Sequence, residues 1–375
     1  MADHTDVLIL GGGVIGLTTA YFLAREGVRV SLIDKGDLGR EASWAGAGII
    51  PPAGERPART PIDRLRACSS AMYPELSRRL RERTGTDNGY FVCGGLELDD
   101  PEHALPLEHW RDEGIAFREL EGGALRAVEP LLSPALPRAW FLPGMAQVRN
   151  PRHLKALIAA CEAEGVRLHP RRAASGFVRS GRRIDAVQTE QGPLSAGQFV
   201  AAAGAWTEGL LESVGVRLGV RPVRGQIALL QTDQAQPRPV ILRGKRYLVP
   251  RPDGPVLVGS TEEDAGFDAR PTAAAVAGLL AFAAEMVPSL EGAAVERCWA
   301  GLRPGSPDGL PFIGPAPDLA NLFVAAGHFR AGIQLSPGTA QVITDLLLGR
   351  EPSMPVDAFR LDRPPGQPAR TAFRS

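Results

Sequence analysis

Near its start, the chain carries a glycine-rich turn whose spacing is suited to binding phosphate groups. Gly11, Gly13 and Gly16 follow the apolar run at 7–10, which has the composition of a buried parallel strand. In this motif the first glycine permits a tight turn, the second lets the backbone approach a pyrophosphate, and the third allows close helix packing. Asp34, twenty-one residues after Gly13, can accept hydrogen bonds from both ribose hydroxyls of an adenosine. These residues predict a dinucleotide site.

Two further segments favour FAD over NAD as the dinucleotide. Residues 40–50 are mostly small apart from Trp44, so their backbone can lie flat against the second phosphate and the flavin edge. The alternative is a loop packed under the sheet. Residues 327–337 form a late glycine-rich loop that leads into a helix, whose N-terminus would stabilise negative charge on a reduced flavin. An NAD-binding domain has no need for this late return of the chain.

The elements that must position these segments can be predicted from patterning. Residues 6–34 read as strand, turn, helix and strand, and Pro74 is expected to kink or restart a later helix. Strands separated by turn signals dominate from about 221 to 260, with a β-hairpin over 246–259. A last helix is expected over 338–348.

This mixture predicts an α/β fold with an α+β second domain: a Rossmann-like FAD-binding domain interleaved with an antiparallel-sheet substrate domain. The expected ranges are 1–88, 146–221 and 298–366 for the FAD-binding domain, 89–145 and 222–297 for the substrate-binding domain, and 367–375 for a C-terminal tail.

Composition excludes several classes of protein. The 375 residues include 42 basic and 42 acidic side chains, so the net charge of zero argues against nucleic-acid binding and against a polybasic membrane binder. The four cysteines are widely spaced, and His103 and His109 lack carboxylate partners at ligand spacing, so no metal site is expected. The acidic start is unlike a signal peptide and no apolar run is long enough to span a membrane, so a cytoplasmic protein is expected.

Together these segments resemble the glycine oxidase/D-amino-acid oxidase family of FAD enzymes, in particular the glycine oxidases of bacterial thiamine synthesis. The resemblance covers nearly the whole chain. The segments that carry it are 7–16 with Asp34, 41–50, 199–206, 247–250 with 258–261, 299–305 and 327–332.

The resemblance implies FAD that is bound noncovalently. Related sarcosine oxidases attach flavin to a cysteine in the C-terminal third, whereas here Cys298 precedes the Arg303 segment and no cysteine follows it. The same relatives place a lysine beside the flavin to assist oxygen, but residue 262 is Glu and Lys245 aligns elsewhere. The cofactor-binding residues expected from the motif and the resemblance are Gly11, Gly13, Val14, Ile15, Gly16, Asp34, Lys35, Ala42, Ser43, Ala47, Gly48, Ile49, Ala174, Gly204, His328, Phe329, Arg330, Ala331, Gly332, Ile333 and Gln334.

Oxidation of an amino acid at a flavin needs a carboxylate anchor and a neutral amine, but no obligatory side-chain acid or base. Arg303 is the expected bidentate clamp, because its guanidinium fork matches two carboxylate oxygens. Tyr247 could add a hydroxyl, and Arg330 could contact the substrate or hold the flavin loop. His328 is expected to be a scaffold residue, and Glu262 either faces the amine or lies at a solvated rim.

The function expected from this resemblance is oxidative deamination of glycine and other small amino acids, with O₂ as acceptor and H₂O₂, NH₃ and glyoxylate as products. The alternatives are a D-amino-acid or sarcosine oxidase, a D-amino-acid dehydrogenase that uses a quinone, a flavin-binding redox sensor without turnover, and an NAD-linked dehydrogenase. The resemblance also implies a homotetramer.

Overall fold

The structure is a computed structural model that describes residues 5–233, 235–364, 366 and 371–373. The helices in this part of the chain are α1 (Val14–Arg25), α2 (Glu41–Ala45), α3 (Pro61–Thr84), α4 (Leu107–Glu113), α5 (Gly122–Val128), α6 (Asn150–Ala163), α7 (Thr207–Glu212), α8 (Ala273–Met286) and α9 (Gly332–Leu347). The strands are β1 (Val7–Leu10), β2 (Val30–Ile33), β3 (Ile49–Ile50), β4 (Phe91–Val92), β5 (Gly95–Leu98), β6 (Arg118–Glu121), β7 (Arg138–Leu142), β8 (Ala146–Gln147), β9 (Arg167–His169), β10 (Ala174–Ser180), β11 (Arg183–Thr189), β12 (Gln198–Ala201), β13 (Arg221–Gln231), β14 (Val240–Arg243), β15 (Arg246–Pro250), β16 (Val256–Gly259), β17 (Ala294–Gly305), β18 (Phe312–Pro315) and β19 (Leu322–Ala326).

A six-stranded sheet carries the glycine-rich turn. Its order is β18-β19-β12-β1-β2-β9, and its strands run parallel except for β18. Successive side chains of β1 point to opposite faces, so Val7 and Ile9 join the apolar cluster under α1, α3, α6 and α9, while Leu8 and Leu10 join the cluster on the other face. Burial on both faces explains why the run is wholly apolar, and the predicted strand, turn, helix and strand over 6–34 is confirmed.

An eight-stranded sheet forms the second large layer. Its order is β17-β13-β16-β15-β14-β5-β7-β6, and every neighbouring pair is antiparallel except β14 with β5. The expected hairpin is confirmed as β15 and β16, and α8 packs on this sheet. The proposed domain boundary at 298 falls inside β17, which continues to Gly305. The predicted tail at 367–375 lies outside the described residues except for 371–373.

Two helices differ from the expectation, and both contain a proline. α3 runs unbroken past Pro74, so the expected restart is wrong. α9 begins at Gly332, six residues earlier than predicted, and includes Pro337. A proline in a helix leaves the carbonyl four residues earlier without its usual donor. Here the Ile333 carbonyl accepts hydrogen bonds from the Tyr73 hydroxyl and from Ser336 Oγ, which supports the helix where the sequence indicates a break.

Candidate active site

A cavity of about 1300 Å³ lies between the two large sheets. The carboxyl ends of β1 and β2 and the N-termini of α1 and α9 line one part of it. Side chains of β15 and β17 line another part. This position at the carboxyl ends of parallel strands is where open α/β sheets bind their ligands.

The dinucleotide end of the cavity is built as the motif predicts. Gly11 has a φ of +118°, and an ideal Cβ there would lie 2.3 Å from the carbonyl oxygen of Ala202, so the turn requires glycine. The Asp34 carboxylate accepts hydrogen bonds of 2.7 Å from the amides of Gly12 and Gly36, which fix its orientation. α1 has Gly13 at its N-cap, which has no side chain to cap the helix, and residues 13–15 place its positive end at the cavity.

The other helix N-terminus lies in the late loop. α9 also has no side-chain cap, and its first residues line the cavity. His328 is buried beside it, where its Nε2 lies 2.9 Å from Thr339 Oγ1. Burial lowers the pKa of His328 to about 3, so the ring is neutral and is suited to a scaffold role.

The small-residue segment is anchored by tryptophans. The rings of Trp44 and Trp299 lie 5.3 Å apart, and Trp299 Nε1 donates to the carbonyl of Ala45 in α2. Ser43 Oγ accepts a hydrogen bond of 2.9 Å from the Val14 amide, which ties the segment to the start of α1. The segment therefore faces the cavity and is not simply packed under the sheet.

Arg303 lies on β17, with its guanidinium at the wall formed by the eight-stranded sheet. Its Nη1 donates to the Thr261 carbonyl at 2.9 Å and its Nη2 to Ser260 Oγ at 2.8 Å. Burial, and secondarily the charge of Arg330, lowers the pKa of Arg303 to about 10, so it remains charged at neutral pH. Within the described ranges, no ion pair joins it to a carboxylate, although it lines the cavity. A half-buried arginine without an anionic partner is suited to a ligand carboxylate.

Two glycines on neighbouring strands make room for this wall, and sequence reasoning missed both. An ideal Cβ on Gly225 of β13 would lie 2.0 Å from Arg303 Nη1. An ideal Cβ on Gly259 of β16 would lie 2.5 Å from the ring of Tyr247. Tyr247 lies directly across from Gly259, whereas Arg303 is paired with Val223 and its guanidinium lies over Gly225, two residues further along β13. No local signal identifies such glycines, because the requirement comes from residues distant in the sequence.

Glu262 lies behind the wall in a network of ionic contacts. Its carboxylate accepts a hydrogen bond from Arg330 Nη1, and Lys245 Nζ lies 2.7 Å from its Oε2. Burial alone would raise its pKa, but the hydrogen bonds with Lys245 and Arg330 lower the pKa of Glu262 to about 2. Arg330 also donates to the carbonyl of Lys245 at 3.0 Å. Glu262 is therefore a counter-ion that holds Arg330, and of the two only Arg330 lines the cavity.

The donor set fits FAD. Two helix N-termini open into one cavity, and the N-cap residue of neither helix supplies a side-chain cap. Asp34 and the small-residue segment line the same cavity. Anionic phosphates and the electron-rich edge of a reduced flavin are the groups that such helix ends stabilise. In the part of the chain that the structure describes, no group of three His, Cys, Asp or Glu side chains is arranged to bind a metal.

Comparison with known proteins identifies the family. The model of the family described as "FAD dependent oxidoreductase" matches residues 6–346. The chain belongs to this family. FAD is therefore its cofactor, as the cavity already indicated.

Three relatives are similar to this chain over nearly its whole length. A glycine oxidase from Pseudomonas putida is 43% identical, covering 92% of this chain and 95% of the relative. The crystal structure of glycine oxidase from Geobacillus kaustophilus superimposes with a TM-score of 0.91 at 35% identity, covering 97% of this chain and all of that chain. A bifunctional protein ThiO/ThiG from Trichormus variabilis is 32% identical over 96% of this chain, which covers 55% of that longer protein.

The structure brings almost all the predicted site residues of this FAD dependent oxidoreductase to one cavity. Of the expected substrate- and cofactor-binding residues, only Gly16 does not line it. Gly16 instead lets α1 pack closely, since an ideal Cβ there would lie 1.9 Å from the Gly11 carbonyl oxygen. Two lining segments were not predicted, at 103–111 and at 371–373. Across the described ranges, none of the helices combines the length and the apolar composition that spanning a bilayer requires.

Proposed function

We propose that the chain oxidises glycine and other small amino acids, using FAD held by the residues expected from the sequence. The observation that carries this proposal is Arg303, a half-buried cation at the cavity wall that forms no ion pair with a carboxylate among the described residues. The identity of 43% to a glycine oxidase over nearly the full length supports the same substrate.

The proposed binding mode follows from the contacts of the wall. Arg303 is already oriented by Ser260 and Thr261, so its remaining N–H groups can hold a carboxylate without a large loss of side-chain entropy. Tyr247, which lines the same cavity, would add its hydroxyl to the same carboxylate. When bound, FAD supplies the acceptor for the hydride of the substrate α-carbon.

The polar residues nearby have a positioning role, and we assign to none of them the removal of a proton from the substrate amine. His328 is neutral and bonded to Thr339, and Glu262 is bound by two cations, so neither is free to act as a general base. The α9 N-terminus would favour negative charge at the flavin end, and the α1 N-terminus would hold the phosphates. Because Cys298 lies on β17, upstream of the α9 loop, we propose noncovalent attachment.

We further propose O₂ as the acceptor, with H₂O₂, ammonia and glyoxylate as the products, in a cytoplasmic homotetramer that serves thiamine synthesis. The resemblance stated above supports this role, and so does the relative named ThiO/ThiG. The experiment is aerobic turnover of the FAD-loaded protein with glycine, sarcosine and D-alanine. Equal amounts of peroxide and glyoxylate from glycine are expected. Reduction of a quinone dye without peroxide would indicate a dehydrogenase instead.

A further inference from the structure

The C-terminal segment at 371–373 lies inside the protein, although its sequence reads as a free tail. Ala372 is fully buried and Phe373 is 7% exposed. The Ala372 carbonyl accepts a hydrogen bond of 2.5 Å from Trp110 Nε1, and its amide lies 3.1 Å from both carboxylate oxygens of Asp63. The segment therefore uses both polar groups of Ala372 to dock.

The docking place is a buried charged cluster between α3 and α4. Arg66 bridges Asp63, at 3.2 Å, and Glu113, at 2.5 Å, and all three side chains are at least 96% buried. Two acids face one arginine here, and burial raises the pKa of Glu113. The Ala372 amide gives the Asp63 carboxylate an additional donor, which a buried anion requires.

The Phe373 ring contacts two buried side chains. It stacks on Trp110, with centroids 5.7 Å apart and planes at 27°, and the Arg66 guanidinium lies 4.9 Å from its centroid. Aromatic and cation–π contacts of this kind fix the orientation of a ring. Phe373 is thus a positioned side chain and part of a rigid wall.

This wall belongs to the same cavity as the carboxylate clamp. Residues 371–373 all line the cavity that Arg303 and Tyr247 line. Ala372 and Phe373 also belong to the same apolar cluster as Tyr247 and Ala47. The segment therefore shares a cavity with the clamp and lies on the side supplied by α4.

We propose that residues 371–373, and Phe373 above all, limit the size of the substrate. The inference rests on the proposed function, since it names which amino acids the same site admits. A phenyl ring fixed at the substrate end excludes side chains and N-substituents that would occupy its volume, which favours glycine. A pocket discriminates by about 10- to 200-fold for each methylene group that it accepts or rejects.

The test compares FAD-loaded Phe373→Ala with wild type, and uses Phe22→Ala as the control. Phe22 lies on α1, is partly buried and does not line the cavity. Anaerobic flavin reduction gives kcat/KM for glycine, D-leucine and N-butylglycine. In Phe373→Ala the ratio of at least one bulky substrate to glycine is expected to rise at least about tenfold, and Phe22→Ala should leave both ratios unchanged. Unchanged ratios in Phe373→Ala would overturn the proposal.

A second readout does not depend on turnover. Iodide quenching of the FAD fluorescence should increase in Phe373→Ala and remain at the wild-type level in Phe22→Ala, because only the first opens the cavity. If Phe373→Ala does not retain FAD, Phe373→Leu, which keeps an apolar side chain, provides the same comparison. A wild type that no amino acid reduces would refute the proposed function, and unchanged quenching would then refute the wall independently.

Discussion

Replacing Gly225 with alanine should disable the carboxylate clamp while residue 303 remains arginine. The new Cβ would lie 2.0 Å from Nη1, 2.1 Å from Nη2 and 2.2 Å from Cζ of Arg303. An ordinary contact needs at least about 3.4 Å, so the guanidinium must move by about 1.4 Å. Such a shift breaks its hydrogen bonds to Ser260 and Thr261, which are 2.8 and 2.9 Å long. Misplacement by about 1 Å can cost 10²-fold in rate, so kcat/KM for glycine should fall about 100-fold.

The assay is anaerobic flavin reduction by glycine, read together with the FAD content of the purified protein. Gly123→Ala is the matched control, because Gly123 lies in α5 and nothing is within 4 Å of a Cβ at this position. The control should retain wild-type kcat/KM. A Gly225→Ala protein that holds FAD and keeps wild-type kcat/KM would refute the assignment of Arg303 as the clamp.

Three further predictions concern ionisable residues. Arg303→Lys should retain FAD but lose about 100-fold in kcat/KM for glycine, because an ammonium cannot replace the bidentate guanidinium fork. Steady-state kinetics on the holoenzyme would measure this loss, and a kcat/KM equal to that of the wild type would contradict the prediction. Glu262→Gln should raise KM for glycine about tenfold, because it weakens the charge-assisted hydrogen bond that holds Arg330. The control Lys245→Gln keeps that hydrogen bond and should change KM less. Equal effects of the two substitutions on KM would argue against a positioning role for Glu262. Burial lowers the pKa of His328 to about 3 and of His153 to about 4, so both bind protons on unfolding, and stability should fall as pH decreases from about 6.5. His328→Gln should reduce the loss between about pH 6.5 and 4.5 by about 2 kcal/mol in urea unfolding, and an unchanged pH dependence would show that His328 does not contribute.

The dinucleotide end could be predicted because its determinants are local. The strand, the turn and the helix over 6–34 are adjacent in sequence, and Asp34 ends the second strand. That Arg303 lines the cavity could be predicted from its motif and its chemistry. Its position within a strand of the eight-stranded sheet could not, because the pattern does not show that β17 continues past residue 298.

The features that were missed depend on contacts between distant segments. Gly225 and Gly259 are required because of side chains on neighbouring strands. The start of α9 was misplaced because Pro337 signals a break, and the Tyr73 hydroxyl from α3 compensates for it together with Ser336 Oγ. Residues 371–373 show no periodicity, and their burial depends on the charged cluster that contains Asp63.

Glycine oxidation by this protein is tested most directly by adding glycine anaerobically to the purified, FAD-loaded protein while the flavin absorbance is followed. We predict that the yellow flavin bleaches, and that Arg303→Lys bleaches about 100-fold more slowly at limiting glycine. A flavin that remains oxidised with glycine in the wild type would refute the proposal that glycine is a substrate.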